Sequence, residues 1–327
     1  MTDADPNALH DRRRIVSRIL RVARYVLILA VVAFAVWYFA TMWDEVGTAI
    51  AAMAPWRVAA SAVTLLVGLV CNTLAWVTLL RGLGHAVPFV RSAQIMLVGQ
   101  LGKYVPGSAW AYLLQMEIGR QYGVARARVL VTSLYAAGIG VVASLLLGAV
   151  ALPQIAAEHP WMLWFFTLLP VGLVCLHPAV MTCLANLVLR VFRRPRLERR
   201  VSTSTIAGAL GWSLASYVLY GLHLWLLADE HVSFANIFLF SAAIGLAFTA
   251  SLFAFLVPSG VGVREAVLIG LMALVMSTAD ASAISLVSRG MFTAGDLLTA
   301  GLAAGAAAIL RRRLHRSDVS GAEYPDV

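Results

Sequence analysis

Charged residues are scarce in this sequence. They make up 13% of its 327 residues, about half of the roughly 25% found in typical globular domains. Hydrophobic residues reach 61%, and the mean hydropathy is +0.84. A soluble fold of this length could not bury so much apolar surface, and a disordered chain needs the opposite composition. The composition therefore predicts an all-α protein that crosses a membrane several times.

Cysteine and the common catalytic motifs are also rare. The three cysteines, Cys71, Cys175 and Cys183, lie in or near apolar runs without paired spacing, which argues against disulfides or a zinc motif. The seven histidines form no HExxH motif, and the sequence offers no nucleotide-binding loop or nucleophile–base pair. We therefore expect no metal site, no cofactor and no enzymatic activity.

Lysine is almost absent, because 24 of the 25 basic residues are arginine and the one lysine is Lys103. The net charge of +9 does not indicate nucleic-acid binding, since the arginines cluster beside apolar runs at 12–24, 190–200 and 311–316. Such clusters favour the cytoplasmic side of a membrane and face anionic lipid headgroups. The expected partner is the bilayer, and no nucleic acid is expected.

Six apolar segments are long enough to cross a bilayer, which takes about 20 residues. They are 25–43, 57–80, 129–152, 161–189, 206–227 and 281–310. The arginine clusters place both termini in the cytoplasm of a multi-pass cell-membrane protein. The predicted organisation is a basic cytoplasmic segment (1–24), a single transmembrane domain (25–310) and a cytoplasmic tail (311–327).

Two further apolar regions are interrupted by glycine and proline, which break helices. Region 92–118 contains GQLGKYVPGSAW and begins and ends on the arginine-rich side, which predicts a re-entrant hairpin. Region 234–279 contains VPSGVGVRE and begins and ends on the outer side, so a second hairpin and two crossings both fit. The pattern repeats with opposite orientation over about 25–152 and 161–310. Inverted repeats with broken helices are typical of transporters, whose binding sites lie at the breaks.

Six charged residues are predicted to lie inside the membrane itself, where a charge costs about 2.5–3.5 kcal/mol on insertion scales. They are Lys103, Glu117, Arg264, Glu265, Arg289 and Asp296. We predict that the cations bind an anionic headgroup and that the carboxylates balance charge or take up protons. Asp296 is expected to balance Arg264 or Lys103, or to carry a coupling proton. In the alternative, these residues only form structural ion pairs, such as Lys103 with Glu117 or an arginine–glutamate pair at the second break.

The remaining site candidates also lie at the two breaks. Glycine lets the backbone approach a ligand closely, and the free N–H groups of half-helices attract anions. With Lys103 beside such N–H groups, the first break suits a phosphate or a carboxylate. The other predicted substrate-binding residues are Tyr104, Pro106, Gly107, Trp110, Pro258, Gly260 and Gly262.

At these breaks the sequence resembles a known family. The segments LGKYVPGSAW (101–110) and VPSGVGVREAVL (257–268), followed by SRG (288–290), are similar to the flippase-like membrane family related to the transmembrane region of lysylphosphatidylglycerol synthases. The resemblance extends over roughly residues 20–312. It implies a lipid-handling protein, because the membrane region of those synthases is taken to move aminoacylated phosphatidylglycerol made by a soluble domain. No synthase domain is recognised in this sequence, so we expect lipid movement without aminoacyl transfer.

Sequence and resemblance together favour a lipid translocase. An anionic phospholipid or a polyprenyl-phosphate-type headgroup would bind in a midplane cavity between the two broken regions. The alternative is a non-transporting scaffold that anchors a cytoplasmic glycosyltransferase or synthase through its arginine-rich loops. A small-solute transporter would need more polar lining than the breaks offer, and an enzyme would need a catalytic constellation.

Overall fold

A computed structural model describes most of the predicted membrane domain. The described residues are 29, 33, 37, 40, 50–51, 53–105, 109–153, 166–191, 193–196, 201–228, 232–253 and 262–321, with 313–321 described by backbone only. They form ten α-helices and two short 3₁₀ helices without any strand, which confirms the predicted all-α class. The predicted first span, 25–43, lies mostly outside the described residues and stays a prediction.

The ten helices vary widely in length. They are α1 (Pro55–Gly82), α2 (Phe89–Gln100), α3 (Trp110–Gln121), α4 (Arg126–Val150), α5 (Leu168–Cys175), α6 (Pro178–Val191), α7 (Thr203–Leu227), α8 (Ile237–Phe253), α9 (Val263–Met272) and α10 (Thr278–Gly321). The two 3₁₀ helices are Leu101–Tyr104 and Phe234–Asn236.

Five described helices are long and apolar enough to span a membrane. Helices α1, α4, α7 and α10 correspond to the spans predicted at 57–80, 129–152, 206–227 and 281–310, which are confirmed as candidate spans. The fifth, Phe234–Phe253, combines α8 with the 3₁₀ helix before it. The protein is therefore a multi-pass membrane protein.

The predicted span 161–189 is not one straight helix. Its described part consists of α5 and α6, which are bent by 80° relative to each other across a short break. Pro178 begins α6, and in a continuous helix it could not donate a hydrogen bond to the carbonyl of Val174, four residues earlier. At the first position of a helix the missing N–H has no such cost. We therefore correct the single predicted helix to a bent pair.

The first broken region is a pair of short helices. Helices α2 and α3 have 12 residues each, about 18 Å of helix, which is less than the roughly 30 Å of a bilayer's hydrocarbon core. A Cβ atom on Gly102 would lie 2.6 Å from the backbone nitrogen of Ala111, and one on Gly99 would lie 2.3 Å from Cγ of Gln115. Because later residues of α2 and its 3₁₀ extension face earlier residues of α3, the two halves pack antiparallel.

The second broken region is asymmetric. Helix α8 with its 3₁₀ helix is long enough to cross, whereas α9 has only ten residues, about 15 Å of helix. Residues 254–261, which carry most of the predicted break, lie outside the described residues. Helix α9 begins after Gly262, whose φ of +86° is a conformation that side chains with a Cβ rarely adopt. The length of α9 shows that this half cannot span the bilayer as a helix.

Helix α10 joins the two broken regions. It contacts α2 and the 3₁₀ helix of the first region and α9 of the second, and it also packs against α1 and α7. Phe292 of α10 belongs to a buried core with Leu65, Tyr220 and Phe240. The polar residues of both regions therefore meet along one stretch of α10.

Candidate functional site

A cavity of about 340 Å³ lies between the two broken regions. Helices α1, α2, α3, α4, α7, α8, α9 and α10 all contribute to its wall. Three cations line it: Lys103 from the first region, Arg264 from the second, and Arg289 from α10. The sequence predicted that these three residues would share one site, and the fold brings them together.

Lys103 and Tyr104 connect the first region to α10 through Asp296. The Lys103 Nζ atom lies 2.6 Å from Oδ2 of Asp296, and the Tyr104 hydroxyl donates to the same oxygen at 2.6 Å. The Asp296 side chain is 2% exposed, whereas that of Lys103 is 34% exposed. The other carboxylate oxygen, Oδ1, is buried and has no hydrogen-bond partner in the described part of the chain. The ion pair between Lys103 and Asp296, one of the two pairings expected from the sequence, is therefore present. It uses only Oδ2 of the carboxylate.

Glu265 and Arg289 connect the second region to α10. The Arg289 Nη1 atom donates to Oε1 of Glu265, and the backbone N–H of Gly262 donates to Oε2 at 2.7 Å. Glu265 thus caps the N-terminus of α9 and pairs with α10 at the same time. The arginine–glutamate pair of the structural alternative exists, but its arginine is Arg289 rather than Arg264.

Arg264 is held by aromatic rings instead of a carboxylate. Its guanidinium carbon lies 4.5 Å from the ring centre of Phe248 and 4.9 Å from that of Phe292, a cation–π contact with each of two neighbouring rings. Its Nη2 atom is buried without a hydrogen-bond partner among the described residues. A guanidinium always carries its charge and offers a planar set of donors suited to phosphate and carboxylate oxygens. Arg264 is therefore a cavity-lining cation that still has a hydrogen-bond donor to offer a ligand.

The other predicted site residues lie in different places. Trp110 begins α3, and its neighbours Ala111 and Tyr112 line the cavity. Glu117 lies further along α3 and forms ion pairs with Arg120 at 3.0 Å and Arg126 at 2.6 Å. Four predicted residues lie outside the described residues, so the structure does not place them: Pro106, Gly107, Pro258 and Gly260.

The comparison with known families agrees with this architecture. Residues 24–314 match the family model described as the lysylphosphatidylglycerol synthase TM region. The chain belongs to this family. The resemblance noted at the two breaks is confirmed, with almost the same limits along the chain. A search of curated proteins found no match.

In this member of the lysylphosphatidylglycerol synthase TM-region family, sequence reasoning missed the aromatic wall of the cavity. Tyr217 and Tyr220 of α7 stand next to Phe248 of α8 and Phe292 of α10, with ring centres 4.9–6.5 Å apart. In sequence these residues look like ordinary apolar positions of membrane helices. The signal that could have found them is the pair of intramembrane arginines, since a buried guanidinium favours aromatic neighbours.

Polar residues of the cavity wall were also missed. Gln115 accepts a hydrogen bond from Ser133, and Ser133 accepts one from the indole N–H of Trp76 at 3.0 Å. Asn72 of α1 lines the cavity as well. The wall of this family member is therefore more polar than the two breaks alone indicated. Across the described residues, no group of three His, Cys, Asp or Glu side chains is arranged to hold a metal ion.

A second polar cluster lies outside the cavity wall. His223 of α7 is fully buried, with Nδ1 2.6 Å from the Ser61 hydroxyl and Nε2 3.0 Å from the Ser288 hydroxyl. The Ser61 hydroxyl donates to the carbonyl of His223 at 3.0 Å, so it accepts from Nδ1–H. The imidazole joins α1, α7 and α10.

Proposed function

We propose that this protein moves lipids across the membrane and binds an anionic headgroup in the cavity between its two broken regions. Arg264 carries this proposal, because it lines the cavity with an unsatisfied donor and forms no salt bridge with a carboxylate among the described residues. Membership of a family named for a lipid-synthase membrane region agrees with a lipid-related role. The headgroup classes that fit are an anionic phospholipid and a polyprenyl-phosphate-type carrier.

The charges around the cavity support a singly charged anion. Lys103 pairs with Asp296 and Arg289 pairs with Glu265, so each of these pairs is neutral. Arg264 remains and gives this group of five residues a net charge of +1. Burying a charge without a counter-charge is unfavourable, so a ligand with one negative charge would be stabilised there. The apolar and aromatic wall provides a surface that lipid chains can follow.

The proposed transport mechanism is alternating access. In it, the first broken region and the segment from α8 to α9 form two hairpins related by an inverted repeat, and alternating movements of the two repeats expose the cavity to each side. Both termini are cytoplasmic in the cell membrane, with the basic segment 1–24 on anionic lipids. The chain acts as a transporter rather than an enzyme.

The test is lipid movement in proteoliposomes with Arg264→Met. A fluorescent phosphatidylglycerol is distributed over both leaflets, and a reductant that cannot cross the membrane measures how fast the protected pool becomes accessible. Methionine keeps an apolar stem against the two phenylalanines but removes the donors. Loss of one charge-assisted contact, about 1.5–3 kcal/mol, corresponds to a reduction of about tenfold to a hundredfold.

Arg57→Met is the matched control. Arg57 also stacks on aromatic rings, with its guanidinium carbon 5.7 Å from Trp56 and 5.8 Å from Trp225, and its Nε is buried without a partner among the described residues. It does not line the cavity described above. We expect this variant to move lipid at the wild-type rate. Equal rates for folded Arg264→Met and wild type would contradict the proposal.

Native mass spectrometry with lipid analysis gives an independent readout. The wild type in mild detergent is expected to retain an anionic lipid that Arg264→Ala, Arg289→Ala loses. If neither protein retains a selective lipid, the translocase proposal fails and a scaffold for a lipid- or glycan-modifying enzyme takes its place.

A further inference from the structure

The three carboxylates of the predicted site differ in how their oxygens are used. Glu117 uses both oxygens in ion pairs with arginines, and Glu265 uses one for Arg289 and the other for the N–H of Gly262. Asp296 uses only Oδ2, while Oδ1 is buried without a partner among the described residues. A buried carboxylate oxygen without a donor is costly when charged, but it can accept a proton and become neutral.

The cation that contacts Asp296 is also the cation that a ligand can reach. Lys103 lines the cavity and keeps about a third of its side chain exposed, whereas Asp296 is almost fully buried. An anion in the cavity competes with Asp296 for the ammonium group of Lys103, which sits on a flexible stem. When Lys103 turns to the anion, Asp296 keeps the Tyr104 hydroxyl but loses the ion pair.

We propose that binding of an anionic headgroup is coupled to the uptake of one proton by Asp296. The step exchanges one ion pair for another: Lys103 leaves the carboxylate for the headgroup oxygen, and a proton from solution binds the carboxylate at Oδ1. This inference rests on the proposed function and adds an energy source, because a proton gradient would then drive lipid binding on one side.

The surroundings of Asp296 leave Lys103 as the group that changes. Arg264 of α9 and Tyr220 of α7 interact with the carboxylate electrostatically, but arginine stays charged throughout and tyrosine stays neutral. Tyr104 contributes its hydroxyl in both states.

The described contacts of α1 and α2 near Asp296 are apolar. From α1 the neighbouring contacts are leucines, with Leu65 and Leu69 against Gly295. From α2 they are apolar too, with Leu97 and Val98 packed in the cluster that contains Ala300.

The shared chemistry of the ligand is a phosphodiester anion, and the experiment separates a lipid from a free anion. Short-chain phosphatidylglycerol is titrated into the purified full-length protein by calorimetry, in buffers with different heats of ionisation, which counts the protons taken up. Glycerophosphoglycerol, the same headgroup without acyl chains, is titrated in parallel. The charge of this phosphodiester does not change near neutral pH, so uptake reports on the protein.

The wild type is expected to take up one proton per lipid. Its affinity should then rise by about tenfold for each unit that the pH falls, over the range in which uptake occurs. Asp296→Asn mimics the protonated carboxyl, so we expect lipid binding with no uptake and no dependence on pH. Asp280→Asn is the matched control, because Asp280 is exposed at the start of the same helix and bonds only Ser277 in the described chain. This variant is expected to behave as the wild type does.

The outcomes distinguish the inference from the proposed function. Lipid binding by the wild type without proton uptake would overturn the inference and leave the translocase standing, and so would unchanged uptake by Asp296→Asn. If the wild type binds no phosphatidylglycerol at any pH, both fail. If glycerophosphoglycerol binds as tightly as the lipid and with the same uptake, the lipid proposal fails and the proton coupling stands. The wild-type proton count decides the inference even if Asp296→Asn does not fold.

Discussion

Each of the two broken regions forms an ion pair with α10, but the signs of the charges are exchanged between them. In the first, the region supplies the cation, Lys103, and α10 supplies the anion, Asp296; in the second, the region supplies the anion, Glu265, and α10 supplies the cation, Arg289. The two α10 residues are seven apart, so two turns of helix present both charges on one face. One helix therefore anchors both breaks, and each anchor includes one ion pair.

The two regions differ in what they leave unpaired. Among the described residues, the unpaired atom at the first region is a carboxylate oxygen of Asp296, and at the second it is a guanidinium nitrogen of Arg264. In the two proposals above, the first region takes up the proton and the second binds the anion. They also differ in backbone packing, since Gly102 touches the backbone of α3 whereas a Cβ on Gly262 would meet open space.

Of the substitutions predicted here, removal of Lys103 should lower the free energy of unfolding the most. Lys103→Met leaves the buried Asp296 without its cation, and breaking one side of a buried pair costs about 3–5 kcal/mol of unfolding free energy. Asp296→Asn leaves a lysine that is already 34% exposed, so its cost should be smaller, about 1–3 kcal/mol. Denaturant titration in mixed micelles measures both.

A variant that changes both Lys103 and Asp296 tests whether the ion pair itself accounts for these losses. Lys103→Met, Asp296→Asn has no unpaired charge at this position, so it should be more stable than Lys103→Met alone. Equal losses for the two single variants, or simple addition in the double variant, would show that the pair does not carry this energy.

Gly102→Ala should disrupt the first region by steric overlap. The new Cβ would lie 2.6 Å from the carbonyl carbon of Trp110 and from the nitrogen of Ala111, and backbone atoms cannot move aside as side chains do. Overpacking of this kind costs about 1–3 kcal/mol. Gly138→Ala in α4 is the control, because a Cβ there meets nothing within 4 Å, and it should be neutral or slightly stabilising. A neutral Gly102→Ala would mean that α2 and α3 pack less closely than the structure indicates.

Much of the architecture could be predicted because it follows from local composition. Apolar runs of about 20 residues identified four of the confirmed spans, and glycine and proline located both breaks. The intramembrane charges Lys103, Arg264 and Arg289, which line one cavity, were predicted as site residues because isolated charges are costly in a bilayer. These inferences need only the sequence around each residue.

The rest depends on contacts between distant parts of the chain. Asp296 had two expected cation partners in sequence, and only the packing of α10 against the first region selects Lys103, 193 positions away. The bend before Pro178 was missed because hydropathy does not register a helix break inside a uniformly apolar run. Phe248 and Phe292 were missed because a phenylalanine beside an arginine looks the same in sequence as one facing lipid.

Gly262→Ala should have a smaller effect, and one confined to the second region. With φ at +86° the backbone is in a conformation that costs a residue with a Cβ about 1–2 kcal/mol, although the space around it is open. Gly270→Ala, eight residues later in α9, also meets open space but has helical backbone, so it should stabilise by up to about 1 kcal/mol. The opposite signs of two identical substitutions isolate backbone strain, measured as the difference in unfolding free energy. Equal signs would place Gly262 in ordinary backbone and remove the reason for a glycine at the start of α9, where Glu265 caps the helix and reaches Arg289.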